Sequence, residues 1–461
     1  MTASNLTQSG DKDEAEEVRV NFILESSVKD RSLEVPSEPI AIPSQIRRKG
    51  LSAVINHLLG RKVENESDEE DDDDEMLDSI PFDFLIKGKL LRTGVETAAR
   101  RYGLSLEESI EIRYFPAQKA PEGGGEGEPF PDWVSGIELF DENRIVATVS
   151  YDGNLRLHQR KNGSDQALET IISNNVHTGP IKCLSVSPDT DDDASFIIAT
   201  GSLDQTLMTH KYNVKTKTLA GHARYINGHK SAISCVSTRI NNLLSGDSNG
   251  GICIWNTKAP SDGETGTLHE APNKKRKAEN AQIESYTITP DVVIPFGHTS
   301  QISGITWHGE DRAITGSWDH SIKVWDLESQ DCLLTLNGSR VISCLDLSAK
   351  SPVVATGHPD STIRLWDIRT EENAEGSIVT DSTLKPSHKA WISGIKWSPK
   401  NPYVLASTSH DGTLKIWDIR SSLPLHTVRT HSKEEKSLCL AFGDDTIYTG
   451  GTDCIIKQYL C

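Results

Sequence analysis

One recurring phrase limits what this chain can fold into more than any other feature. Ile322-Lys323-Val324-Trp325-Asp326, Ile363-Arg364-Leu365-Trp366-Asp367 and Leu414-Lys415-Ile416-Trp417-Asp418 share a pattern, and Ile252-Cys253-Ile254-Trp255-Asn256 departs from it in its last residue. Apolar residues at every second position ahead of the Trp predict half-buried strands. A turn-forming Asn or Asp stands six residues before each Trp, at Asn249, Asp319, Asp360 and Asp411. Three weaker copies place His158, His210 and Tyr459 in the Trp slot, behind Asp152, Asp204 and Asp453. The anchors therefore fall at 158, 210, 255, 325, 366, 417 and 459; five of the six intervals are 41 to 52 residues, and the sixth, of 70, holds a polar insertion at 257–290. Seven such units predict an all-β protein, a seven-bladed β-propeller over 132–461.

The ring must close. The chain stops at Cys461, just after a third strand, so a fourth has to come from upstream of Trp133. The segment 116–131 reads as a Gly- and Pro-rich linker and a poor strand. Closure is expected to be short there, or to borrow from Arg113 to Gln118.

The Trp-Asp phrases resemble WD repeats. A buried indole N–H needs an acceptor, and the resemblance implies one: a chain from Trp through Ser or Thr to a His oriented by the turn Asp. Gly-His or Ser-His pairs stand upstream at His229, His298 and His388. The expected network in one blade is Trp325, Thr315 or Ser317, His298 and Asp319, with Trp366, Asp411 and Trp417 in equivalent roles. A Ser-His-Asp grouping invites a protease reading, but recurrence in every blade points to structure. Gly246-Asp247-Ser248-Asn249-Gly250 spells G-x-S-x-G, yet a nucleophile elbow needs a strand-to-helix turn and this one leads into another strand. No P-loop, H-E-x-x-H or EF-hand pattern occurs, so no enzyme activity and no cofactor of its own are expected.

Composition bounds partners and setting. The net charge of −19 argues against whole-surface binding to nucleic acid. It is unevenly spread, however: Glu64 to Glu75 holds ten acidic residues, and without them the balance would be −9. No apolar run is long enough for a membrane span, and the polar residues 1–17, expected to be disordered, do not look like a secretory signal. The eight cysteines form no C-x-x-C pair, so neither zinc nor disulfides are expected, which suits a reduced, intracellular setting.

Residues 18–115 read as a separate α+β unit. Val18, Val20, Phe22 and Leu24 alternate as a strand should. A second extended stretch carries Leu33, Val35, Ile40 and Ile42. Leu51, Val54, Ile55, Leu58 and Leu59 fall on one helical face, with Gly60 at the C-cap. Phe82 to Ile86, Gly88 and Leu90-Leu91 make a hairpin, followed by a helix near Val95 to Arg101 and a last strand from Ile110 to Phe115. The order resembles ubiquitin. The acidic block 64–75 is then a loop insertion too polar to fold. Within it Ser67, followed by Asp68, Glu69 and Glu70, reads either as an acidophilic-kinase site or as part of a solubilising loop.

Gly50-Leu51-Ser52, Val54-Ile55-Asn56-His57-Leu58-Leu59, Pro81-Phe82-Asp83-Phe84-Leu85-Ile86, Leu90-Leu91-Arg92-Thr93, Gly103-Leu104-Ser105 and Asp132-Trp133-Val134-Ser135 carry a further resemblance. They are similar to the NLE-domain WD-repeat factors of large ribosomal subunit assembly, and within them to the PeBoW-complex member. That resemblance implies a scaffold of the nucleolus and nucleoplasm. Its implied partners are pescadillo, a second WD-repeat protein and the pre-60S particle, with an rRNA contact and no membrane. It also implies that the ubiquitin-like domain docks on the AAA ATPase midasin, which pulls the factor off the particle. The residue implied to complete midasin's Mg²⁺ shell is Glu107, with Glu108 next to it as the fallback; read without the family, Glu107 is an ordinary surface acid. Hard carboxylate oxygens suit Mg²⁺.

Lys274-Lys275-Arg276-Lys277, inside the long insertion, reads as a nuclear import signal, a nucleic-acid contact or a solvated loop. A competing function is substrate receptor of a cullin-type ubiquitin ligase, on the W-D-x-R phrases ending at Arg369 and Arg420.

Overall fold

The computed structural model describes residues 17–61, 78–160, 168–225, 227–257, 285–369, 383–432 and 434–461. The chain divides into two compact units, Met1–Lys119 and Ala120–Cys461.

In the first unit, strands β1 (Glu17–Leu24), β2 (Ile40–Pro43), β3 (Phe82–Ile86), β4 (Lys89–Leu90) and β5 (Ile110–Pro116) form one sheet in the order β2-β1-β5-β3-β4. The central β1–β5 pair is parallel and the others antiparallel. Helices α1 (Arg48–Leu58) and α2 (Val95–Arg101) complete it. This arrangement is compatible with the ubiquitin-like expectation. The alternation read in β1 buries Val18, Val20, Phe22 and Leu24, which pack with Leu51 and Ile55 of α1 and with Ile110, Ile112 and Tyr114 of β5. Gly60 follows α1 at φ +66°, a left-handed conformation that Gly adopts without a Cβ penalty. The stretch from Leu33 is less extended than expected. Arg31–Leu33 is a 3₁₀ turn, held because the Tyr114 hydroxyl donates to the Leu33 carbonyl (2.8 Å) and accepts from the Val35 N–H (2.9 Å).

Among the described residues the second unit holds seven sheets, the blades, antiparallel apart from one added parallel strand. All seven anchors lie on third strands, for example Trp325 in Ser321–Asp326 and Trp417 in Thr413–Asp418. The seventh blade takes its outer strand, β6 (Glu122–Glu126), from the other end of the chain, pairing Glu122 with Leu460 and Glu126 with Lys457. Part of the expected linker is therefore a propeller strand. The sequence Glu-Gly-Gly-Gly-Glu has almost no side chains to pack, so the attachment is mainly main-chain. It continues beyond β6, where Gly127 and Phe130 donate to the carbonyls of Ile456 and Cys454. Phe130 is then buried beside His158, with ring centroids 5.8 Å apart; it fills space next to the smaller ring in a Trp slot. The end of the long insertion is also structured. Ser285–Ile288 adds a fifth, parallel strand to the second blade, and Val292–Ile294 is the outer strand of the third.

Six innermost strands begin with a register shift one residue in, at Ser135, Lys182, Ser234, Ser303, Ser393 and Leu438. Such a bulge re-aims one side chain out of the ladder. Where it is serine, the hydroxyl donates to a main-chain carbonyl of the next blade: Ser135 to Ile181 (2.6 Å), Ser234 to Ile302 (2.5 Å), Ser303 to Ile342 (2.7 Å) and Ser393 to Ser437 (2.7 Å). Ser343, at the same place in the fifth blade, donates to Ile392 at 2.6 Å. Five of the seven joints between blades thus carry a side-chain bond at the channel mouth.

Candidate functional site

The structure brings Trp325, Thr315, His298 and Asp319 together in one chain of hydrogen bonds. The Trp325 indole N–H donates to Thr315 Oγ1 at 2.9 Å, and Thr315 lies 2.7 Å from His298 Nε2. His298 Nδ1 lies 2.8 Å from Asp319. Thr315 is therefore the relay, and Ser317 is not. Ser317 sits at the strand end opposite Ile302, where it donates to the carbonyls of Ser300 and Gln301 and accepts from the Asp319 N–H. Strand geometry decides this, because only the residue ten before the Trp lies under the indole.

Burial holds His298 below its ordinary value. Burial by itself would raise Asp319, but hydrogen bonding by Ser321 and the charge of His298 outweigh it and bring the carboxyl to about 2. With a neutral imidazole every group is satisfied in one direction: indole N–H to Thr315, Thr315 hydroxyl to Nε2, and Nδ1–H to Asp319. Such a closed relay fixes a core and leaves no base free for catalysis.

The other blades vary the theme. Trp417 donates to Ser407 (2.8 Å), which contacts His388 (2.8 Å), and His388 faces Asp411 at 3.3 Å. Trp366 donates to Thr356 (2.7 Å), whose His is His358 at the end of the same strand pair; His358 turns Nδ1 to the Val341 carbonyl, so Asp360 is left to Thr362, Arg364 and Arg340. In the third blade the turn acid is Asp247, 3.0 Å from His229, and not Asn249 as the spacing suggests. Gly250, at φ +85°, lets the turn fold so that the N–H groups of Asn249 and Gly251 both donate to Asp247. His177 plays the His role in the second blade, and His431 in the seventh keeps only the half that faces the turn acid, Asp453. Neither was singled out from the sequence, because neither follows Gly or Ser.

Ser248 donates to the Ala232 carbonyl (3.1 Å), while the nearby His229 is engaged with Ser245 and Asp247. No imidazole among the described residues bonds to Ser248, so the geometry gives the hydrolase reading no support.

In the first unit, Glu107 and Glu108 are both exposed on the loop before β5. The Glu107 N–H donates to Ser105 Oγ at 3.2 Å, which shapes the loop. Its carboxylate makes no hydrogen bond or ion pair among the described residues. An exposed, uncommitted carboxylate has the hard oxygen donors that a cation on another protein would need. Lys274, Lys275, Arg276 and Lys277 lie outside the described residues, as do Ser67 and the acidic block.

A ring of small blades stapled by Trp, hydroxyl and imidazole, following an α+β unit, defines the class: a WD-repeat propeller protein with an NLE domain. Residues 18–99 match the NLE (NUC135) domain, and 215–256, 291–326, 330–367 and 381–418 match the WD domain, G-beta repeat. Proteins described as ribosome biogenesis protein WDR12 homolog are similar along nearly the whole chain. That of Chlamydomonas reinhardtii is 30% identical, covering 93% of this chain and 94% of its own. That of Arabidopsis thaliana is 30% identical with the same coverage, and that of Dictyostelium discoideum 30% over 99% of this chain and 98% of its own. The chain belongs to the WDR12 family of ribosome biogenesis proteins.

Proposed function

We propose that this protein is a non-enzymatic assembly factor for the large ribosomal subunit. The observation that carries this reading is likeness to ribosome biogenesis proteins through both units at once. In support, the acid–base groups of the blades are spent on holding the blades together. The propeller presents a rigid rim and faces to the PeBoW partners, pescadillo and a second WD-repeat protein, and to the pre-60S particle with its rRNA. The NLE unit is the removal handle. Glu107 offers midasin a carboxylate for its Mg²⁺, with Glu108 the neighbouring donor, and the ion holds the two proteins together for the length of a pull. The protein works in the nucleolus and nucleoplasm.

Affinity purification of the tagged full-length protein tests this. Large-subunit precursor rRNA together with pescadillo is the expected result; a cullin adaptor without rRNA would overturn it. The receptor reading has one structural handicap. Arg420 is held by Asp418 at 2.7 Å and lies over the Tyr403 ring, leaving its side chain only 10% exposed. Arg369 is more open, although it pairs with Asp367.

A further inference from the structure

The innermost strands of the blades share one register, and at one level of it stand Glu138, Ser185, Ser237, Thr306, Asp346, Lys396 and Ala441. The usual task at this level is to bond the blade alongside. Ser185 Oγ accepts from the Thr238 N–H of the third blade (2.9 Å), and Asp346 accepts from the Trp397 N–H of the sixth (2.8 Å). Lys396 does something else. Its ammonium lies 2.8 Å from the carboxylate of Glu138, in the first blade, so the pair skips the seventh. Other ion pairs between blades, such as Lys400 with Asp445 (2.6 Å), join neighbours. In the seventh blade the level is held by Ala441, whose methyl group offers an ammonium no partner.

The pair lies where the ring lacks a staple. Leu438 stands in the seventh blade where five other blades carry the bonding serine, so no hydroxyl ties the seventh blade to the first. The second blade, with Lys182 at that place, has the same lack, and there Ser185 and Thr238 supply a tie to the third. We propose that Lys396 and Glu138 form a second lock on the ring, holding the sixth and first blades together in front of the seventh so that the ring stays shut while β6 is peeled away. With the two side chains 34% and 29% exposed, the pair adds little to a ring that is already closed. Its effect is conditional. Once β6 is gone, the seventh and first blades can part only if Glu138 also leaves an ammonium that the sixth blade keeps within reach, at high effective concentration. Asp346 attracts the same ammonium, so the competing account is a local one, in which Lys396 merely neutralises that carboxylate.

Two native thiols report the opening. Cys439 is buried with its thiol 3.5 Å from the Val134 carbonyl oxygen, across the joint between the seventh and first blades. Cys235 is buried in the same way 3.7 Å from the Ile302 carbonyl oxygen, between the third and fourth. The test is pulsed maleimide labelling of the full chain, read for each cysteine by mass spectrometry. Gly125 has φ +133°, which proline cannot adopt, so Gly125→Pro disables β6. With β6 intact, Lys396→Met and Glu138→Ala should each change Cys439 labelling by less than ~2-fold. In the Gly125→Pro background each should speed it ~5-fold while Cys235 does not respond. Asp346→Asn, which leaves Lys396 with Glu138, should not reproduce the effect. Circular dichroism checks that the variants fold; if Gly125→Pro does not, the same comparison is made with β6 intact in sub-denaturing urea, with the same ranking expected. Unchanged Cys439 labelling on adding Glu138→Ala overturns the proposal, as does equal acceleration at Cys235. Acceleration by Lys396→Met and Asp346→Asn but not by Glu138→Ala overturns it in favour of the local account.

Discussion

Ser343 donates its hydroxyl to the carbonyl oxygen of Ile392, 2.6 Å away and one blade further round the ring. Ile392 is fully buried, so its carbonyl has little access to water when that hydroxyl is removed. Ser343→Ala should cost about 1–2 kcal/mol, the usual range for leaving one buried acceptor short of a donor. Equilibrium denaturation measures it. A stability equal to the parent would mean that the ring of hydroxyls is ornamental.

Thr315→Val keeps the shape of the side chain and removes the hydroxyl between Trp325 and His298. An indole N–H and an imidazole nitrogen are then stranded together. The expected loss is about 2–3 kcal/mol, read as a shift in denaturant midpoint. Ser317→Ala, which touches only the adjoining turn, should cost less, about 1 kcal/mol. If the two lose equally, Thr315 is not the relay.

The same networks set a pH dependence. Burial holds His158 and His358 down to about 4 and lowers His177, His298 and His388. In the unfolded chain these groups protonate near ~6.5. Below that value the unfolded chain takes up protons that the folded one refuses, so stability is full above ~6.5 and declines as pH falls toward 4. Asp346, which burial raises to about 6, works in the opposite direction but is a single group. The net loss between pH 7.5 and 5 should be several kcal/mol, about 3–6. Urea unfolding at the two values measures it, and a flat profile contradicts neutral imidazoles in the blades.

Glu107→Gln removes a charge from an exposed loop and should leave the melting curve within about 0.5 kcal/mol of the parent. It should nonetheless abolish retention on immobilised midasin, while Glu108→Gln retains most of it. Loss in the second variant alone would move the ligand role to Glu108. Binding retained by both removes it from the loop.

Replacing Lys274, Lys275, Arg276 and Lys277 with Ala should shift a fluorescent fusion from nucleus to cytoplasm without altering stability. Quantitative imaging decides it, and an unchanged nuclear signal assigns import elsewhere.

How much of this was legible in the sequence depends on how local each signal is. The anchors were readable because each blade repeats its own short phrase, and so a His or a Tyr could be recognised in a Trp slot from spacing alone. The Ser317 and Asn249 expectations failed because hydrogen-bond partners are set by register and turn geometry, which residue spacing reports only approximately. Strand β6 was nearly invisible, since Glu-Gly-Gly-Gly-Glu has no side-chain periodicity and its pairing comes from the far end of the chain. The serine staples do leave a trace in the sequence: Val134-Ser135, Ile233-Ser234, Ile302-Ser303, Ile342-Ser343 and Ile392-Ser393 place a β-branched residue and a serine at the same point of five blades.

Strand β6 also decides where a tug on the protein is felt. Force applied anywhere before Glu122 enters the propeller through a five-residue ribbon fastened chiefly by backbone bonds to Lys457–Leu460. That ribbon should peel before any Trp-stapled blade is strained. On the function proposed above, in which the amino-terminal unit is where the protein is pulled, extraction would begin by unclasping the circle. Optical-tweezer traces pulled from that end should show a small early rip ahead of the main unfolding event.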